Sequence, residues 1–173
     1  LFAPFRDFGF WAGAVYVIGR GLQKMSPHLD LELYEFMAQP ISDRPLVPER
    51  IARGIELRRI WRSNPEIALM PVRSEVIEER FAQEAMCFGA FHDARLIGYI
   101  WFALGAYEED EVRCTFVPVP RDKVVFDFDL YSFPEYRMGR AFVAIWNAAN
   151  EYMRSRGIRW SCSRITRFNL ASR

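Results

Sequence analysis

The sequence predicts an α/β fold, and three stretches carry that expectation. FGAFHDARLIGYIWF, residues 88–102, sets two apolar runs around a polar turn, which is a β-hairpin pattern. VVFDFDLYS, residues 124–132, is a strand that enters a turn carrying Pro134, Arg137 and Gly139, followed by a long amphipathic helix. RWSCSRIT, residues 159–166, then reads as a closing strand. The strand–turn–helix places a helix N-terminus beside a strand end. Its unpaired N–H groups and positive dipole end suit a phosphate.

The elements follow in order. Phe8, Trp11, Val15 and Ile18 fall at helical spacing and predict a helix over residues 1 to about 27, with Gly19 and Gly21 interrupting it. Residues 31–39 predict a strand, and Pro40, Pro45 and Pro48 mark a loop after it. Residues 55–61, IELRRIW, predict a second strand. Ser74 reads as the N-cap of a helix reaching about Ala85, with Val76, Ile77 and Phe81 on one side. The hairpin comprises Met86–Phe91, the turn His92–Arg95, and Leu96–Leu104. The acidic turn Glu108–Glu111 precedes a strand expected from Val112 to about Val119. In the helix from Ala141 to about Arg156, residues Phe142, Ile145, Trp146, Ala149 and Met153 form the core stripe. Asn147, Asn150, Glu151 and Arg154 face away, and Gly157 ends the helix. No repeat or low-complexity segment interrupts the chain.

Composition narrows the function. A chain of 173 residues, 51% hydrophobic and 26% charged, is expected to form one folded domain. Its aromatic share of 16% exceeds the needs of a small core, so some rings are expected at a pocket or interface. A net charge of +1 provides no field for nucleic acid. Cys87, Cys114 and Cys162 lie in hydrophobic runs without metal-ligand spacing and read as reduced cysteines of a cytoplasmic protein. His28 and His92 fall in predicted turns, which argues against a His-centred hydrolase or a zinc enzyme. The apolar run Phe8–Gly19 is too short for a transmembrane helix, which needs about 20 residues, and no signal-peptide cleavage pattern follows it. The aromatic N-terminal segment reads as a helix packed on the domain or on a homodimer partner; its cationic face is thin for a membrane surface. The first residue is Leu, so residues are expected to precede it.

From about Ile55 to Arg173 these segments resemble the Gcn5-related N-acetyltransferases, the GNAT superfamily. The resemblance implies a mixed, mostly antiparallel sheet flanked by helices. Residues 51–173 would be the acyltransferase domain and residues 1–50 an extension packed on it. The family's closing helix and last two strands, with a tyrosine often used as general acid, would lie beyond residue 173. The family turn is Arg/Gln-x-x-Gly-x-Gly/Ala. Aligning Pro-Glu-Tyr-Arg puts Arg137 first and Arg140 and Phe142 at the glycine positions. Aligning on glycine fits Gly139 and Ala141 but puts Tyr136 first. The ungapped helix favours the first register, and so a degenerate phosphate loop. The implied cofactor is acetyl-CoA or a longer acyl-CoA. Leu130, Tyr131 and Ser132 would hold its pantetheine arm, Arg137, Met138, Gly139, Arg140, Ala141 and Phe142 its pyrophosphate, and Asn169 would touch it further along. The arm requires this strand and the next to splay apart, and Pro134 ends the strand in keeping with that.

The implied reaction is acyl transfer to a small-molecule or peptide amine by direct attack in a ternary complex, without a metal. Only a neutral amine attacks, so a base is needed. Asp127 and Asp129 lie two apart on the predicted strand and are expected on one face, opposite Phe126, Phe128 and Leu130. Shared proximity would raise one pKa; pairing with Arg113, Arg159 or Arg164 would make them structural instead. Glu109 and Glu111, in the acidic turn, could attract a cationic substrate. Cys162 has no His nearby in sequence, which favours direct attack over an acyl-enzyme. Two alternatives accompany this reading: a carrier-protein-dependent long-chain N-acyltransferase, suggested by the aromatics, and an inactive GNAT-derived binding module, suggested by Arg140 and Phe142.

Overall fold

A computed structural model describes residues 3–29, 31–48, 50, 53–112, 114–137 and 141–169. The helical periodicity at the start of the chain folds as two helices, α1 (Ala3–Phe8) and α2 (Phe10–Met25). They part at Gly9, whose φ of +80° lies in a region that glycine enters without a Cβ penalty. Strand β1 spans Tyr34–Pro40, later than the expected start at residue 31. Strand β2 spans Ile55–Ile60. Helix α3 spans Ser74–Ala82. Ser74 is its first helical residue and not its N-cap: Arg73 holds that position with extended dihedrals and no side-chain cap bond.

The hairpin forms as expected from β3 (Met86–His92) and β4 (Arg95–Ala103). The single strand expected from Val112 to Val119 is reduced to β6 (Thr115–Phe116), paired with the equally short β5 (Tyr107–Glu108). Pro118 and Pro120 lack the N–H needed to continue a ladder. Strand β7 spans Val124–Ser132, a 3₁₀ turn covers Pro134–Tyr136, helix α4 spans Ala141–Ser155, and strand β8 spans Trp160–Thr166.

Six strands form one sheet in the order β1-β8-β7-β4-β3-β2, and β2/β3, β3/β4 and β4/β7 are antiparallel. The chain divides into two compact units, residues 38–162 and residues 1–37 with 163–173. Within the second, smaller unit, Phe8, Tyr16 and Phe168 pack as a three-ring cluster with centroids 5.1–5.4 Å apart.

The larger unit has an apolar core on each face of its sheet, because alternate β4 residues point to opposite sides. Ile100 and Phe102 join Ile145, Ala149 and Met153 of α4. Tyr99, Trp101 and Ala103 join Ile77 of α3 and a set of aromatics. Much of the aromatic surplus is consumed there: Phe116 stacks on Phe126 at 4.3 Å and Tyr107 on Phe128 at 4.4 Å.

Helix α4 departs from its expected faces. Phe142, placed in the core stripe by spacing, is 50% exposed. Asn147 and Asn150, expected to face away, are only 6% and 4% exposed. Both hold the proline-rich loop: the Leu46 N–H donates to Asn147 Oδ1 at 2.7 Å and the Ser42 N–H to Asn150 Oδ1 at 3.2 Å. Arg154 adds a bond from Nη1 to the Ser42 carbonyl at 2.9 Å. Among the described residues no helix is long and apolar enough to cross a membrane.

Candidate functional site

Strand β7 is central to the candidate site, and it is not regular. Trp101 pairs with Phe128 and Tyr99 with Tyr131, so Ile100 alone faces both Asp129 and Leu130. This is a β-bulge. Asp129 forms it with φ +48°, a left-handed conformation that aspartate tolerates better than most residues. The extra residue resets the alternation of side chains. Phe126 and Phe128 belong to the α3-side core with Tyr131, whereas Leu130 packs against the α4-side core.

The expected pairing of Asp127 and Asp129 on one face is therefore overturned, as is the expected grouping of Leu130 with Phe126 and Phe128. Asp127 is 7% exposed and accepts the Ser161 hydroxyl at 2.5 Å. Asp129 accepts Arg80 Nη1 at 2.5 Å. Arg80 comes from α3, a helix that was not among the expected sources of a partner. Of those sources, Arg159 bridges Asp43 at 3.4 Å, Arg164 lies over the Tyr34 ring at 4.0 Å, and Arg113 is outside the described residues.

Arg80 is 6% exposed and joins two segments. Its Nη2 also reaches Asp110 Oδ2 at 3.2 Å, and Asp110 Oδ1 accepts the Tyr107 hydroxyl at 3.1 Å. Burial opposes the guanidinium charge, but Asp129 and Asp110 outweigh it and hold the Arg80 pKa above its ordinary value. Burial also pushes up the Cys87 thiol and the Tyr99 phenol, with Asp129 adding to both. A sequence signal for Arg80 existed: it lies three residues after Ile77 and four after Val76, on the apolar side of its helix. Asp110 and Ser161 had no such signal.

The acidic turn divides its roles. Glu109 is buried, and its Oε2 accepts the N–H groups of Glu111 at 2.8 Å and Val112 at 2.9 Å, so one oxygen is committed to its own loop. Glu111 is exposed.

The strand–turn–helix forms as expected. After Ser132 the chain turns through Pro134–Tyr136 and enters α4 at Ala141, which is buried in the core beneath that helix. Arg137 folds back on the strand end: its Nε donates to the Ser132 carbonyl at 3.1 Å, and its guanidinium lies 5.3 Å from the centre of the Tyr131 ring. Ser132 Oγ is buried and has no hydrogen-bond partner among the described residues. Met138, Gly139 and Arg140 lie outside the described residues. Asn169 belongs to the smaller unit, where its N–H closes a turn on the Thr166 carbonyl at 3.0 Å.

The larger unit also holds a cavity of about 670 Å³ between α4, β2 and the proline-rich loop, lined by Ile55, Leu57, Phe88, Ala144 and Tyr152 among others.

No family model and no curated protein matches the sequence. Solved structures do. One is a tandem GNAT protein from the clavulanic acid biosynthesis pathway, without acetyl-CoA, with a TM-score of 0.52, 16% identity and 82% of this chain covered. The match covers 47% of that protein, so this chain spans about half its length. Another is an acetyltransferase of Trypanosoma brucei, with a TM-score of 0.39, 17% identity, and 60% of this chain and 78% of that one covered.

Proposed function

This chain has the fold of the GNAT superfamily, and from that fold we propose that it is an N-acyltransferase, moving an acetyl or longer acyl group from CoA to an amine within a ternary complex. The observation that carries the reading is the end of β7. Among the described residues Ser132 Oγ is buried there without a partner, on a strand that is followed by a turn and α4. A buried hydroxyl without a partner is uncommon and costly. A bound chain of amides would satisfy it, and the first turn of α4 suits the phosphates that such a chain carries.

In this reading Leu130, Tyr131 and Ser132 line the pantetheine arm. Arg137, Ala141 and Phe142 take the phosphate end together with Met138, Gly139 and Arg140. Acyl-CoA would supply a thioester carbonyl, whose C–S bond breaks as the C–N bond to the amine forms. The chain's own part is to orient the amine and accept its proton. Asp129 is the better acceptor of the two aspartates: it sits at the bulge and keeps 24% of its side chain exposed, whereas Asp127 is enclosed under Ser161. Glu111 would draw a cationic amine toward the site.

Calorimetric titration with acetyl-, octanoyl- and palmitoyl-CoA tests the reading. Saturable binding in the micromolar range is expected, and tighter binding with chain length would indicate a long-chain donor. No binding of any of the three at high micromolar concentration would sink the proposal.

A further inference from the structure

We propose that Arg80 is a positioning residue for this transfer: one buried guanidinium holds the proton-accepting Asp129 at the bulge and, through Asp110, ties the acidic turn to it. The inference rests on Asp129 being the acceptor. Arg80 spans α3, β7 and the β5–β6 turn, with Asp129 at 2.5 Å and Asp110 at 3.2 Å. Its guanidinium carbon lies 5.3 Å from the Trp101 ring centre and 5.2 Å from that of Phe128, so it rests against two aromatic rings that stack on each other.

Stability alone does not account for this arrangement. A buried ion pair is often no better than apolar residues of similar volume, because desolvation offsets the attraction. The cluster is also incompletely bonded: Arg80 Nε, Tyr99 Oη and Trp101 Nε1 are buried without partners among the described residues. Polar groups in that condition are worse for stability than an apolar core. What the arrangement provides is a fixed carboxylate with a fixed charge balance. Cys87 on β3 and Tyr99 on β4 sense Asp129, and burial keeps both neutral. Tyr131 stacks on Tyr99 with ring centres 5.3 Å apart and adds to the rise of its pKa, and Glu109 adds to that of Tyr107. Arg80, with Asp110 behind it, therefore fixes the orientation of the Asp129 carboxylate and the charge that faces it.

The test is the pH profile of kcat/KM for amine acylation in the wild type, R80Q, R80K and D110N, each with its acyl-CoA affinity measured by calorimetry. R80Q removes the positive charge that faces the carboxylate and is expected to move the acid limb of the profile upward by about one pH unit or more. R80K keeps the charge and should hold the limb near the wild-type position, recovering part of the rate lost in R80Q. D110N leaves the cation to Asp129 alone and should move the limb downward. Acyl-CoA affinity should stay within about twofold throughout, since none of these residues lines the proposed phosphate or arm contacts. An unmoved limb in R80Q, or equal shifts in R80Q and R80K, overturns the inference while leaving the acyltransferase reading intact. Should R80Q fail to fold, an unmoved limb in D110N overturns it equally. A wild-type chain that neither binds acyl-CoA nor acylates an amine fails the acyltransferase reading, and this inference with it.

Discussion

Tyr99 and Tyr107 are closed off from solvent beneath α3 and the β5–β6 turn. Burial raises both phenol pKa values; Asp129 raises Tyr99 further and Asp110 raises Tyr107, while Arg80 partly opposes both. A raised pKa favours the protonated phenol in the folded chain. The resulting stability is fully present below the ordinary tyrosine value of about 10 and is lost as pH rises beyond it. Spectrophotometric titration should therefore show these two ionising only as the chain unfolds in stronger alkali. Ionisation of every tyrosine in one step near pH 10, with the fold intact, would contradict the burial. At this scale the sequence was legible where alternation holds and failed where it breaks. Asp127 and Asp129 look like a pair only on a regular strand. Nothing in VVFDFDLYS announces that Asp129 will take φ +48° and reset the faces. Arg80 was readable in principle, as a charge on the apolar side of α3, but a charged residue in that position gives no indication of its partner.

Elements were read more securely than their surroundings. Strand β7 has the expected limits and α4 starts where it should, because long periodic segments decide their own structure. Periodicity identifies the face that meets the sheet, but not what lies over the opposite face. Asn147 and Asn150 looked solvent-facing because no local pattern shows the proline-rich loop folding onto them from a hundred residues earlier. Their two bonds make that loop a measurable element. Asn147→Ala removes the acceptor of the Leu46 N–H and should cost about 1 kcal/mol. Hydrogen exchange should speed up at Leu46, and Asn150→Ala should do the same at Ser42, with the β3–β4 hairpin amides unaffected. Unchanged exchange at both positions would show that the loop is held by other contacts.

At the scale of the molecule, the mixed sheet with helices on opposite faces was legible because the order of hairpin, strand, turn, helix and strand admits few arrangements. The ligand was less legible, because in the register expected from the sequence the turn carries Arg140 and Phe142 where the resemblance implies glycines. Ligand binding has a global consequence that does not depend on which residues make the contacts. A ligand that binds only the folded chain stabilises all of it, by about 2.7 kcal/mol at a hundredfold excess over Kd. For a chain of this length each kcal/mol corresponds to about 2–4 °C in Tm. Acyl-CoA at that excess should then raise the melting temperature by about 5–10 °C. CoA without an acyl group should account for the phosphate share of the shift, and pantetheine for the share of the arm at the end of β7. Ser132→Ala removes a hydroxyl that has no hydrogen-bond partner among the described residues. It should leave the unliganded melting temperature unchanged or slightly raised and shrink the shift from pantetheine more than the shift from a phosphate-only ligand such as 3′,5′-adenosine bisphosphate. A full pantetheine shift in Ser132→Ala would mean that the hydroxyl is satisfied by something other than the arm.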